Sequence, residues 1–228
     1  MDSLTNLKNE AESWVAHQLP KGFFADFHDM NNRMLVAVTC MQQGKRELAY
    51  RIFASLAAEG AQENPNRHFA YVRSLVELAE MDADKGDYPL AAQRMEEALP
   101  AYPISMGYMM SRVHLEVYLC YYWFQAGEKE KAHQELKKII AREKERFDAL
   151  ALEDGINLVT PGLGYAVHQL ALLYAEEKDW RMAVNTFLTL HPYAKEVVKD
   201  EWDLAEALAE KNEWEVAFQH YASALVYE

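Results

Sequence analysis

One spacing constrains this chain more than any other feature. A small residue followed twelve positions later by alanine recurs five times: Ala37 and Ala49, Ala79 and Ala91, Cys120 and Ala132, Ala171 and Ala183, Ala205 and Ala217. Four residues beyond each alanine stands a large apolar side chain, Phe53, Met95, Leu136, Phe187 or Tyr221. Three further on come Leu56, Ala98, Ile139, Leu190 and Ala224, and one residue before each small position stands Val36, Leu78, Leu119, Leu170 or Leu204. Offsets of four and seven put these side chains on one face of a helix. Two helices joined by a short turn approach closely only where both carry small side chains, and the large residue then fills the space toward the next pair. The most regular copy, residues 85–99, reads as a Gly-Asp turn and an amphipathic helix with Pro89 in its first turn, where a missing N–H does no harm.

Taken in order, the pattern predicts helices over about 3–19, 23–43, 47–59, 68–84, 88–99, 105–126, 128–153, 165–177, 180–190, 194–211 and 214–227. Ser3 or Thr5 is available to cap the first, and Tyr108 opens the aromatic helix that carries Tyr118, Tyr121, Tyr122, Trp123 and Phe124. Residues 155–164, with Gly155, Asn157, Thr160, Pro161, Gly162 and Gly164, read as a loop. No strand-type alternation competes, so the expected class is all-α, with about 11–12 helices. Residues 1–29 are expected to cap a repeat domain over 30–228.

These residues resemble the tetratricopeptide repeat family, whose helix-turn-helix unit carries a small residue, then alanine twelve positions on, then an aromatic and a proline. The copy ending Ala98-Leu99, with Pro103 at the proline position, matches best. Successive alanines lie 42, 41, 51 and 34 residues apart, against a family unit of about 34, so several helices are expected to be longer than usual. The resemblance implies a right-handed superhelical solenoid of antiparallel helix pairs whose first helices line a concave groove. By the family's phase, Met34, Val38, Arg73, His114, Tyr121, Tyr165, His168 and Trp202 line that groove, with Val76, Val117, Phe124, Leu172 and Glu80 at equivalent positions. The carboxylate-clamping Lys and Asn of some family members are replaced here by apolar residues such as Met34 and Val38. The lengthened units look like those of bacterial peptide-sensing regulators and of helical transcription-activator domains.

Composition narrows the partners. The formal charge of −13 disfavours a nucleic-acid surface. Basic residues 129–146 are interleaved with acids, the pattern of a solvated helix surface. Cys40 and Cys120 sit in apolar helical runs and carry neither a disulfide framework nor a thiolate metal site. The eight histidines form no His-x-x-x-His pair, and no Gly-x-Ser-x-Gly occurs, so no metal, cofactor or catalytic residue is expected. No signal-like start and no membrane-spanning run is present, and the expected location is cytoplasmic. The reading is a non-enzymatic adaptor that takes an amphipathic helix or extended apolar peptide in its groove. Its rivals are a peptide-sensing regulatory domain and a scaffold that self-associates to a homo-oligomer through the apolar end 224–228.

Overall fold

The computed structural model describes residues 3–20, 22–107 and 110–228. They form twelve α-helices, three short 3-10 turns and a pair of two-residue strands. The chain divides into two compact units, 1–110 and 111–228.

In the first unit, α1 (Ser3–Val15) packs on α2 (Met30–Gln42) and α3 (Arg46–Ala57). The long α4 (Pro65–Asp84) packs on α2, α3 and α5 (Tyr88–Ala98). Leu7, Ala11 and Val15, four apart, give α1 its buried stripe. The helix expected from residue 23 begins only at Met30. Asp29 sets that start: its carboxylate accepts from the N–H groups of Asn31 and Asn32 at 3.0 and 3.2 Å. The turns before it bury Phe24 and Phe27, which stack with ring centres 6.3 Å apart. Asn64 caps α4 in the same way, and with Pro65 in its first turn the helix begins three residues before the expected residue 68.

The second unit contains α6 (Arg112–Gln125), α7 (Lys129–Asp148), α8 (Leu152–Leu158), α9 (Thr160–Glu176) and α10 (Trp180–Leu188). After them come β1 (Glu196–Val197), α11 (Lys199–Glu210), α12 (Trp214–Ala224) and β2 (Leu225–Val226). α9 packs on α6, α7, α8 and α10, and α12 packs on α10 and α11. Tyr108, expected in the aromatic helix, lies outside the described residues. Within them, that helix starts at Arg112 behind Ser111.

Residues 155–164 are not the expected loop; α8 and α9 run through them. The glycines that suggested a loop serve close packing. A methyl group on Gly155 would come within 3.0 Å of the Phe147 ring, and one on Gly162 within 3.2 Å of Val113. Pro161 lies in the first turn of α9, and the buried Thr160 hydroxyl donates to the Tyr193 carbonyl at 2.8 Å.

The repeat register holds across both units. The five small residues, the five alanines after them and the large apolar residues beyond are all buried. Of the residues preceding the small positions, only Leu204 breaks rank, 45% exposed. Each hairpin turn also places one residue in the left-handed region, always seven positions past the small residue: Gly44, Gly86, Gly127, Lys178 and Asn212, with φ of 71°, 82°, 95°, 64° and 62°. The next N–H then reaches a carbonyl five residues back, as from Lys45 to Cys40 at 2.8 Å and from Glu213 to Leu208 at 3.0 Å, which closes the helix end. The extra length is spent in different ways. α4 and α7 each run to 20 residues, and α8 is inserted after α7. The interval from Ala91 to Ala132 is instead lengthened in the connection between α5 and α6.

Candidate functional site

All eight residues expected to line a groove are half-buried, neither sealed in the core nor fully in solvent. In the first unit, Met34 and Val38 lie one turn apart on α2. Arg73 on α4 is engaged within its own helix, its Nε donating to Glu77 at 2.6 Å. Glu77 is buried; with burial, its charge raises the Glu80 carboxyl above the usual range, and Arg73 opposes that rise. α2 therefore offers two half-buried apolar side chains, and α4 a compensated charge cluster.

The second unit brings more of the expected residues together. On α6, His114, Tyr118, Tyr121 and Gln125 recur at helical spacing and are all half-buried. On α9 a matching stripe runs through Tyr165, His168, Gln169, Leu172 and Glu176. The stripes touch along their length. His114 stacks on Tyr165 with ring centres 4.5 Å apart, and Tyr118 meets Tyr165 edge-on at 5.9 Å. Gln125 donates to Glu176 at 2.8 Å. Between these ends, Tyr121, Gln169, Leu172, Ala175, Glu176 and Trp180 line an open depression of about 450 Å³.

Trp202, on α11, packs on His191 at 4.5 Å, in the 3-10 turn that precedes β1, and edge-on to Tyr221 of α12 at 5.0 Å. Val76, Val117 and Phe124, assigned to the same face by repeat phase, are core residues. A one-residue shift on α6 puts Tyr118, not Val117, beside Tyr165. The run 121–124 hid this, because four adjacent aromatics carry no phase information.

His168 shows what else the surface meets. Its Nδ1 is hydrogen-bonded to the Tyr227 hydroxyl at 2.6 Å, and its ring lies edge-on to Phe187 at 5.2 Å. Burial lowers the pKa of both His114 and His168, against an opposing pull from Glu228. Burial pushes the Tyr165 hydroxyl well above its usual range and the Tyr227 hydroxyl up to about 12. The surface thus presents neutral rings with hydrogen-bonding edges. Burial also raises the Cys40 and Cys120 thiols to about 11 and about 12, which removes them as nucleophiles near neutral pH.

Among the described residues, no helix is long and apolar enough to cross a membrane. The sequence matches no protein-family model and no curated protein.

Proposed function

We propose that this chain is a non-catalytic peptide-binding adaptor of tetratricopeptide-like type. In this reading its helical hairpins follow a right-handed superhelix, and the α6–α9 surface is part of a concave groove. The observation that carries it is the double stripe of half-exposed aromatic and histidine rings running into an open depression of about 450 Å³. Tyrosine and histidine give contact area with little loss of side-chain freedom on binding, and Gln169 and Gln125 add donors for a peptide backbone. The partner is an amphipathic helix or an extended apolar segment of a protein, not nucleic acid or membrane, in keeping with the charge of −13. The two buried thiols suit a reducing, cytoplasmic setting.

A peptide library displayed against the unaltered chain and Tyr121→Glu tests this. Peptides retained by the first and lost by the second support the groove; equal recovery, or no binding by either, overturns it. A self-associating scaffold is the second reading, favoured by Val198, Leu204 and Val216, large apolar residues left exposed near α11 and α12. Mass measured by light scattering over a hundredfold concentration range separates it from a monomeric adaptor.

A further inference from the structure

One end of the α9 stripe is covered by a segment of this chain. Beyond α12 the backbone turns extended and β2 pairs antiparallel with β1, Glu196 opposite Val226 and Val197 opposite Leu225. The N–H of Lys195 donates to the Val226 carbonyl, and that of Val198 to the Ala224 carbonyl, both at 2.8 Å. Leu225 is buried, and Tyr227 then packs closely against Gly164 of α9. A methyl group on Gly164 would fall 2.3 Å from Cδ2 of that ring and 2.4 Å from Cγ, so only glycine admits it. The Tyr227 hydroxyl bonds His168, and the charge of Glu228 acts on both His114 and His168.

This is the geometry of strand addition: backbone pairing to a short edge, with one side-chain seat choosing the residue. The holding contacts are few. β1 is two residues long and exposed, so the segment belongs to the low-stability end of the unit. We propose that residues 225–228 are a built-in occupant of the peptide site, and that the external ligand is an extended peptide of the same chemistry, an aliphatic pair followed by an aromatic and an acidic residue, which takes their place. The inference rests on the peptide-binding reading and specifies its ligand. The internal segment weakens binding because the external peptide meets an open seat only for the fraction of time the segment is away, and the apparent affinity is scaled down to that fraction.

The probe is a labelled peptide of residues 222–228, Ala-Ser-Ala-Leu-Val-Tyr-Glu, followed by fluorescence anisotropy. The Tyr227→Ala chain, its seat vacated, should bind the probe about tenfold or more tightly than the unaltered chain. Adding Gly164→Ala should abolish that binding while the helical circular dichroism stays unchanged, since alanine favours the helix. A probe with its tyrosine changed to alanine should not bind. Equal affinity of the unaltered and Tyr227→Ala chains overturns the proposal, and so does probe binding that ignores Gly164→Ala. The Tyr227→Ala comparison decides by itself should the double variant fail to fold. If library peptides bind in a Tyr121-dependent way but independently of Gly164, the ligand assignment falls while the groove stands; if no peptide binds, both fall.

Discussion

Lys178 and Asn212 occupy left-handed turn positions that glycine fills in the other three hairpins. A side chain in that region is strained by about 1 kcal/mol, less for asparagine, whose amide bonds locally. Lys178→Gly should therefore stabilise the protein by about 1 kcal/mol and Asn212→Gly by less, read as a shift in the urea midpoint. Arg33 makes a second residue-level case. It is fully buried and pairs with Glu59, yet its Nε and Nη1 find no partner among the described residues. Glu59 keeps partial contact with water, so losing the arginine does not strand it. Arg33→Met should be neutral or stabilising, whereas Glu59→Ala should cost about 3 kcal/mol or more by leaving the guanidinium uncompensated. Matching losses for both variants would show that Arg33 is needed for packing rather than tolerated as a charge.

At the scale of the element, the repeat makes equivalent positions comparable. Leu170 on α9 and Leu204 on α11 hold the same place in their copies, but Leu170 is 4% exposed and Leu204 45%. Leu170→Ala should cost about 2–5 kcal/mol, with a cavity left beside α10, while Leu204→Ala should stay within about 0.5 kcal/mol. Chemical denaturation of the two variants checks this directly. The hairpin crossings are equally demanding in the other direction. Ala183 is wholly buried where α10 meets α9, so Ala183→Leu should destabilise by about 1–3 kcal/mol through forced displacement of the pair. A tolerated leucine would mean that the small-residue positions reflect chance and not helix contact.

For the molecule as a whole, acid should act on the second unit through its histidines. Burial lowers the pKa of His114, His133 and His168 below the ordinary value near 6.5, all within residues 111–228. Glu177 and Glu130 pull His133 the other way, Lys137 and Lys129 assist burial, and Glu228 opposes it at the other two. A lowered pKa means that the unfolded chain takes up protons first as the pH falls. The stability these neutral rings contribute is complete above about pH 6.5 and is lost below it, toward their folded values. Melting temperature should fall between pH 7.5 and pH 5, and His133→Gln, which removes a titrating ring beside Tyr174, should flatten part of that slope. A melting temperature independent of pH over that range would contradict the assigned environments.

What local chemistry dictates here is the hairpin. A small residue, a turn able to go left-handed and an alanine twelve positions later set each helix pair without reference to the rest of the chain, because every one of those constraints acts within about 20 residues. That is why the packing register from Ala37 to Ala217 was legible beforehand, and why most groove candidates landed on half-buried faces. The rest depended on groups distant in sequence. Gly155, Gly162 and Gly164 read as loop formers by composition and became helical contact points once Phe147, Val113 and Tyr227 arrived against them. The rings that Trp202 meets, His191 and Tyr221, lie 11 and 19 residues away, outside the reach of its own helix pattern. The strand pair of 196–197 with 225–226 has no local signal at all: two residues per strand carry no periodicity, and only the return of the chain beside α9 gives their backbone groups a partner.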